Sequence, residues 1–416
     1  MKLLLFGRHF DAFNERVGPL QATTEYFASA SADEAQEALV DDWLVRASRA
    51  NLHHIQDVLT GLSERSRDPE RTEILPLINL VEVIRTSASP SLHRSTDWLA
   101  WLMCANAALA NGRTTRQFLD RINHLPALVP TITATLDKAR FDITLPTNLW
   151  PIGAPLGLTS RPGQKALVAT NGRGLLTLAC DGVVIDLLHP HFVEGSVQTF
   201  VRHRVPGGPE VTRPCMPYHS RWNHKFNHLT WTPMAPLLGS VTGSFKLIEQ
   251  AWREAAALRG YAQRIVAYVP VDRRRHSSAS AAELPFAQVS NVVLGDEYEN
   301  ALSFLHEAMH SKLAVLMSAR RLHEHGRERA FRHPWMDVAR PAEGVLLGAH
   351  AFVNIMVLAR RILQNHPGWS PAERTLDRRR PEVRQALEEL RRMTLTADGD
   401  AFVTRLEELF QEAEGL

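Results

Sequence analysis

Cysteine is scarce in this sequence: Cys104, Cys180 and Cys215 are the only three in 416 residues, and no two of them form a CxxC spacing. That excludes a disulfide framework and a thiolate zinc site, and it fits a reducing compartment. Charge of one sign is missing as well. The 47 basic and 45 acidic residues are interspersed and leave a net charge of +2, so there is no field to gather nucleic acid or an anionic membrane. Two short basic runs, Arg273-Arg274-Arg275 and Arg378-Arg379-Arg380, carry no interleaved aromatics and read as solvated turns or helix flanks. No stretch approaches the roughly 20 apolar residues of a membrane span. The apolar opening, Met1 to Phe6, is ended by Gly7, Arg8 and His9, too soon for a secretory signal. A cytoplasmic protein without nucleic-acid or membrane partners is expected.

What is present is a globular composition, 44% hydrophobic and 22% charged, in a chain long enough for two or three packed lobes. From Phe10 to Lys138 apolar residues recur at three- and four-residue spacings, most clearly over Asp33–Thr60, Thr72–Thr86 and Ser95–Asn111, which predicts helices. From Phe141 to Pro236 short β-rich runs alternate with Gly, Asn and Asp: Lys165–Thr170, Leu175–Ala179, Val183–Leu187 and Val197–Val201. Antiparallel hairpins are expected there. A helix over Ser244–Gly260 and strands over Arg264–Pro270 and Ala287–Leu294 follow, with Asp272–Ala282 between the strands reading as a loop. Asp296 is placed to cap a helix, with Glu299 three residues on. Pro341 opens a further helix at its first position. Charged amphipathic helices over Pro381–Met393 and Asp398–Glu412 close the chain. The expected fold class is α+β: a helical N-terminal lobe (1–140), a β-rich antiparallel central region (141–295) and a helical C-terminal lobe (296–416).

The chemistry sits in His306-Glu307-Ala308-Met309-His310. Residues four apart share a helix face, so His306 and His310 can hold one metal ion from adjacent turns. With 19 histidines in the chain, such a motif arises by chance in about one comparable sequence in twenty. Its context adds weight, because it lies mid-helix after a strand and a capped turn. Two satisfied surface histidines are the plain alternative. A third ligand must come from elsewhere, and the helix after Pro341 offers Glu343 and His350. These lie two turns, or roughly 10 Å, apart, so one of them is to be chosen. His350, in the apolar middle of the helix, is preferred over Glu343, which in the first turn also complements the helix dipole.

The run His306 to Leu313, then Pro334-Trp335-Met336-Asp337-Val338-Ala339-Arg340-Pro341, then Gly344 to Phe352, resembles the HEXXH-motif family associated with peptide natural-product clusters. Over residues 285–365 the resemblance is strong, and it is looser in the N-terminal helices. It implies an iron(II)- and 2-oxoglutarate-dependent oxygenase that hydroxylates a side-chain β carbon of a ribosomally made precursor peptide. Such chemistry asks for three protein ligands and open positions; His306, His310 and His350 meet that count. A cation is also needed for the far carboxylate of 2-oxoglutarate, with Arg340 as a bidentate fork or Lys312 as a point charge. The motif alone favours a different enzyme, a zinc metallopeptidase in which Glu307 is the general base. A noncatalytic peptide-binding protein with a degenerate site is a third class. Tyr218–Trp222 and His224–His228 are candidate groove residues, and the strand ending at Leu294 is a candidate edge for an added peptide strand.

Overall fold

The computed structural model describes residues 34–65, 203–205, 208–212, 234–268, 278–280 and 286–415 except 327 and 337, together with the strand segments 140–144, 165–170, 176–180 and 183–186 and the single residues 27, 28, 78, 82, 99 and 102. Most of Thr72–Thr86 and Ser95–Asn111, and all of Val197–Val201, Tyr218–Trp222 and His224–His228, lie outside the described residues. Among the described residues the chain is a mixed, mostly helical protein. Six α-helices accompany two small sheets: α1 (Glu34–Arg65), α2 (Met234–Ala251), α3 (Glu297–Ala319), α4 (Ala342–Asn365), α5 (Ser370–Arg391) and α6 (Ala397–Glu414).

The first sheet is the expected antiparallel meander, β1 (Arg140–Thr144), β2 (Lys165–Thr170), β3 (Leu176–Cys180) and β4 (Val183–Asp186), paired in that order. The second departs from expectation. It holds β5 (His203–Arg204), β6 (Glu210–Thr212), β7 (Arg264–Tyr268), β8 (Ser278–Ser280) and β9 (Ala287–Asn291) in the order β5-β6-β7-β9-β8. The β6–β7 and β7–β9 pairs are parallel. A parallel pair needs a crossover connection, and α2 with the 3-10 turn Arg253–Tyr261 supplies it between β6 and β7. That helix begins ten residues before the periodicity at Ser244 suggests. All five residues of β9 are buried, the pattern of a strand covered on both faces rather than one alternating between core and water. β8 falls inside the segment read as a loop, and it pairs antiparallel with β9 at the sheet's end. The edge expected at β9 therefore belongs to β8.

The core is built around α4. Val345, Leu346, Val353, Met356, Val357, Leu358 and Ile362 are all fully buried, in one cluster with residues of α1, α3, α5 and α6. By length and composition α4 alone among the described helices could cross a membrane, and most of it is buried inside the protein. α1 shares this core through Trp43, whose Nε1–H donates to Ser318 Oγ of α3 at 2.7 Å. Pro341 is the N-cap of α4 rather than its first helical residue. Pro381, expected to start a helix, lies inside α5. A proline there removes one helical hydrogen bond, and the buried face of Leu376, Val383, Ala386, Leu387 and Leu390 keeps the helix running through it.

Candidate metal and peptide site

α3 is fixed at its N-terminus before it reaches the motif. Asp296 Oδ1 accepts from the Glu299 N–H at 3.1 Å, the cap expected from the sequence. Gly295, at φ +79, turns the chain from β9 into the helix in a conformation that favours glycine. Asn300 clamps this turn by accepting from the Val293 N–H and donating to the Val293 carbonyl, at 2.9 and 2.8 Å. One turn on, buried Gln288 of β9 donates to the Phe304 carbonyl at 2.9 Å. The motif is thereby locked to the sheet.

His306 and His310 meet with ring centroids 4.3 Å apart and ring planes 73° apart. Each keeps a solvent-reachable edge, yet both are packed closely enough to be disfavoured as cations. Burial pushes His306 down to about 3, helped by His310 and Arg379 and opposed by Glu307. Burial also lowers His310, again opposed by Glu307. The imidazoles are therefore neutral nitrogen donors at neutral pH, and His310 Nδ1 has no hydrogen-bond partner. Glu307 is 3% exposed. Its Oε1 accepts from Ser278 Oγ of β8 at 2.7 Å, and Oε2 is unpartnered. Burial works to raise this carboxyl, but the two histidines and the hydroxyls of Ser278 and Ser280 outweigh it and hold it ionised.

Of the other sequence-derived residues, His350 is fully buried, 5.5 Å from the Phe402 ring. Neither ring nitrogen makes a hydrogen bond of proper geometry, although backbone groups of Phe27 and Met309 lie close; burial first, then Lys312 and His310, lower it to about 3. Glu343 is exposed in the first turn of α4. Lys312 is fully buried, with Nζ 5.6 Å from the Tyr261 ring centroid. Arg340 pairs through its backbone with Phe331, and its Nη2 donates to Met336 Sδ at 2.6 Å. Among the described residues no group of three His, Cys, Asp or Glu side chains converges to hold a metal ion. The donor chemistry of His306 and His310 fits a metal that accepts imidazole, while His350 is not gathered into the same cluster.

No protein-family model matches the chain, and no curated protein is similar enough to count as a relative. The site itself is the remaining guide.

Four residues beside the imidazoles were not singled out by sequence reasoning as part of the site. Ser278 lay in a presumed loop. Phe352 lies 4.9 Å from the His306 ring and stacks on Trp335 at 4.5 Å. The guanidinium of Arg379, part of a basic run set aside as solvated, is 4.1 Å from the Phe352 ring centroid. Its helical position three residues before Glu382 was the available signal, and the two side chains pair at 2.7 Å. Gly348 admits Trp335 to this wall: an added Cβ would sit 2.5 Å from a Trp335 ring carbon. Gly348→Ala is expected to displace Trp335 from Phe352, cutting Trp335 fluorescence changes on ligand binding and lowering ligand affinity, while melting falls by only a few degrees, about 1–3 kcal/mol of overpacking.

Proposed function

We propose that the protein is a nonhaem iron(II)- and 2-oxoglutarate-dependent oxygenase that hydroxylates a side-chain β carbon of a ribosomally made precursor peptide. One observation carries this reading. The three stretches on which the family resemblance rests come together around one point, with His306 against Phe352 and Phe352 against Trp335.

His306 and His310 would hold the iron through neutral imidazoles. Of the two candidates on α4, His350 has unpartnered buried nitrogens and interacts with His310, so it is the preferred third donor over exposed Glu343. Bound iron with 2-oxoglutarate supplies the oxidising power for hydroxylation of a C–H bond. Glu307, fixed by Ser278, orients the imidazoles and water near them as a charged group rather than as a proton shuttle. Among the described residues β8 pairs on one side only, which suits a peptide laid along it as an added strand, and its Ser278 touches the motif directly. The test is an anaerobic titration of the iron(II)-loaded protein with 2-oxoglutarate. A saturable visible charge-transfer band is expected.

A second reading has its own observation. Glu307, next to His306 on the motif helix, keeps Oε2 buried and without a hydrogen-bond partner, as the general base of a zinc metallopeptidase would require. Absence of the band, with stoichiometric zinc and cleavage of peptides, would select it.

A further inference from the structure

An imidazole that binds a metal through one nitrogen is almost always oriented by a hydrogen bond from its other ring N–H to a carboxylate, a carbonyl or water. Among the described residues nothing of that kind holds His306: its ring meets His310 and Phe352 and makes no hydrogen bond to the protein. His310 stands on the same helix and is itself without a partner at Nδ1. The orientation of the His306 ring therefore rests on packing. Phe352 of α4, 4.9 Å away with its plane tilted by 59°, packs on it from outside α3.

Phe352 is in turn held by two neighbours that share one anchor. Trp335 stacks on it with ring centroids 4.5 Å and planes 27° apart, and the Arg379 guanidinium carbon lies 4.1 Å from its centroid. Glu382 Oε2 accepts from both of them, from Trp335 Nε1–H at 2.9 Å and from Arg379 Nη1 at 2.7 Å. Trp335 precedes α4, Phe352 is on α4, and Arg379 and Glu382 are on α5, so a single carboxylate oxygen closes a circuit of contacts across three segments. Arg379 and Glu382 are largely shielded, at 20% and 25% exposure, where salt screens an ion pair less than in open water. Indole and guanidinium leave Phe352 only by breaking charge-assisted hydrogen bonds. The charge of Arg379 also bears on His306, and Glu382 offsets a cation that would oppose a metal ion there.

We propose that Glu382 is a positioning residue of the metal site: by tying Trp335 to Arg379 it fixes Phe352, and through Phe352 the ring of His306. This rests on metal binding by the His306–His310 pair, which the oxygenase and the peptidase have in common, and it holds for either.

The experiment titrates cobalt(II), whose ligand-field bands are visible, into metal-free wild type, Glu382→Leu, Glu382→Gln and Trp335→Phe. Affinity and band positions are read together, with thermal melting of each metal-free protein alongside. Glu382→Leu removes both contacts and is expected to weaken cobalt(II) about tenfold, the lower end of the loss when a group orienting a metal-binding histidine is removed, and to shift the bands. Glu382→Gln keeps an acceptor for the indole and the guanidinium and should recover most of the wild-type affinity and spectrum. Trp335→Phe keeps a stacking ring without the N–H and should fall between wild type and Glu382→Leu, a result that does not depend on how well Glu382→Leu folds. Wild-type affinity and bands in either Glu382→Leu or Trp335→Phe, with only a lower melting temperature, would make the clamp a stabilising feature and overturn the assignment while the metal site stands. Glu382→Gln as weak as Glu382→Leu would assign the effect to charge rather than position and overturn it too. A wild type that gives no cobalt(II) bands would overturn metal binding at the histidine pair, and this proposal with it.

Discussion

His310→Ala is expected to abolish stoichiometric iron(II) binding while the metal-free protein stays folded. The two imidazoles are held 4.3 Å apart by one helix, so the second nitrogen binds an ion already captured by the first. Removing one of two such donors forfeits that effective concentration, on the order of 10²- to 10⁴-fold in affinity. Stability should respond differently. His310 Nδ1 is buried without a hydrogen-bond partner, and alanine removes that orphaned group along with some packing. The melting temperature should therefore shift by only a few degrees. Equilibrium dialysis with metal analysis reads the first effect, and thermal denaturation of the metal-free protein reads the second. Full metal retention in His310→Ala would disqualify the pair as ligands.

The same pair sets a pH signature. An ordinary histidine near 6.5 begins to exchange metal for protons as pH falls through that value. Here burial takes His306 down to about 3 and lowers His310 as well. Protons are therefore weak competitors, and affinity should stay level as pH drops through 6.5, falling only in more acidic solution.

The helix that carries the His306–His310 motif was legible because its signals are local. A cap at Asp296, helical spacing and two histidines four apart all act within a few residues, and α3 carries them as expected. Strands Lys165–Thr170 and those starting at Arg264 and Ala287 were equally local in composition. What could not be read depends on partners distant in sequence. The three residues of β8 gain their strand identity from β9, since nothing in Ser278-Ala279-Ser280 prefers a strand over a turn. Parallel pairing of β7 with β9 is a property of the crossovers. Pro381 marks a helix start on propensity, and tertiary burial of its neighbours overrides that mark. Arg379 looks like one of three solvated arginines until Phe352, 27 positions earlier, supplies a ring for it. Lys312, two residues past His310, faces away from that imidazole on the helix, is buried against Tyr261, and its charge bears on His350.

Glu307→Gln separates the two enzymatic readings more sharply than any other substitution, and substantial turnover is the expected result. The wild-type carboxylate is tied through Oε1 to Ser278 Oγ, its Oε2 makes no hydrogen bond of proper geometry, and the Ser280 hydroxyl acts on the same carboxyl. Glutamine preserves the acceptor for Ser278 and places an NH₂ group where Oε2 was. An unsatisfied buried donor costs about 1–3 kcal/mol of stability, visible as a lower melting temperature. It also removes the negative charge that supports proton affinity at His306 and His310, so the imidazoles become slightly poorer donors. Loss of such a supporting group weakens metal affinity by about 10- to 100-fold, and saturating iron restores occupancy. In an oxygenase nothing else is lost, because no step takes a proton from metal-held water. A peptidase loses its general base, worth roughly 10²- to 10⁴-fold in rate, and added metal does not recover it. Measuring turnover of Glu307→Gln across a metal titration therefore decides the role of this carboxylate: recovery with iron assigns it to orientation, and a deficit that persists at saturation assigns it to proton transfer and removes the oxygenase reading.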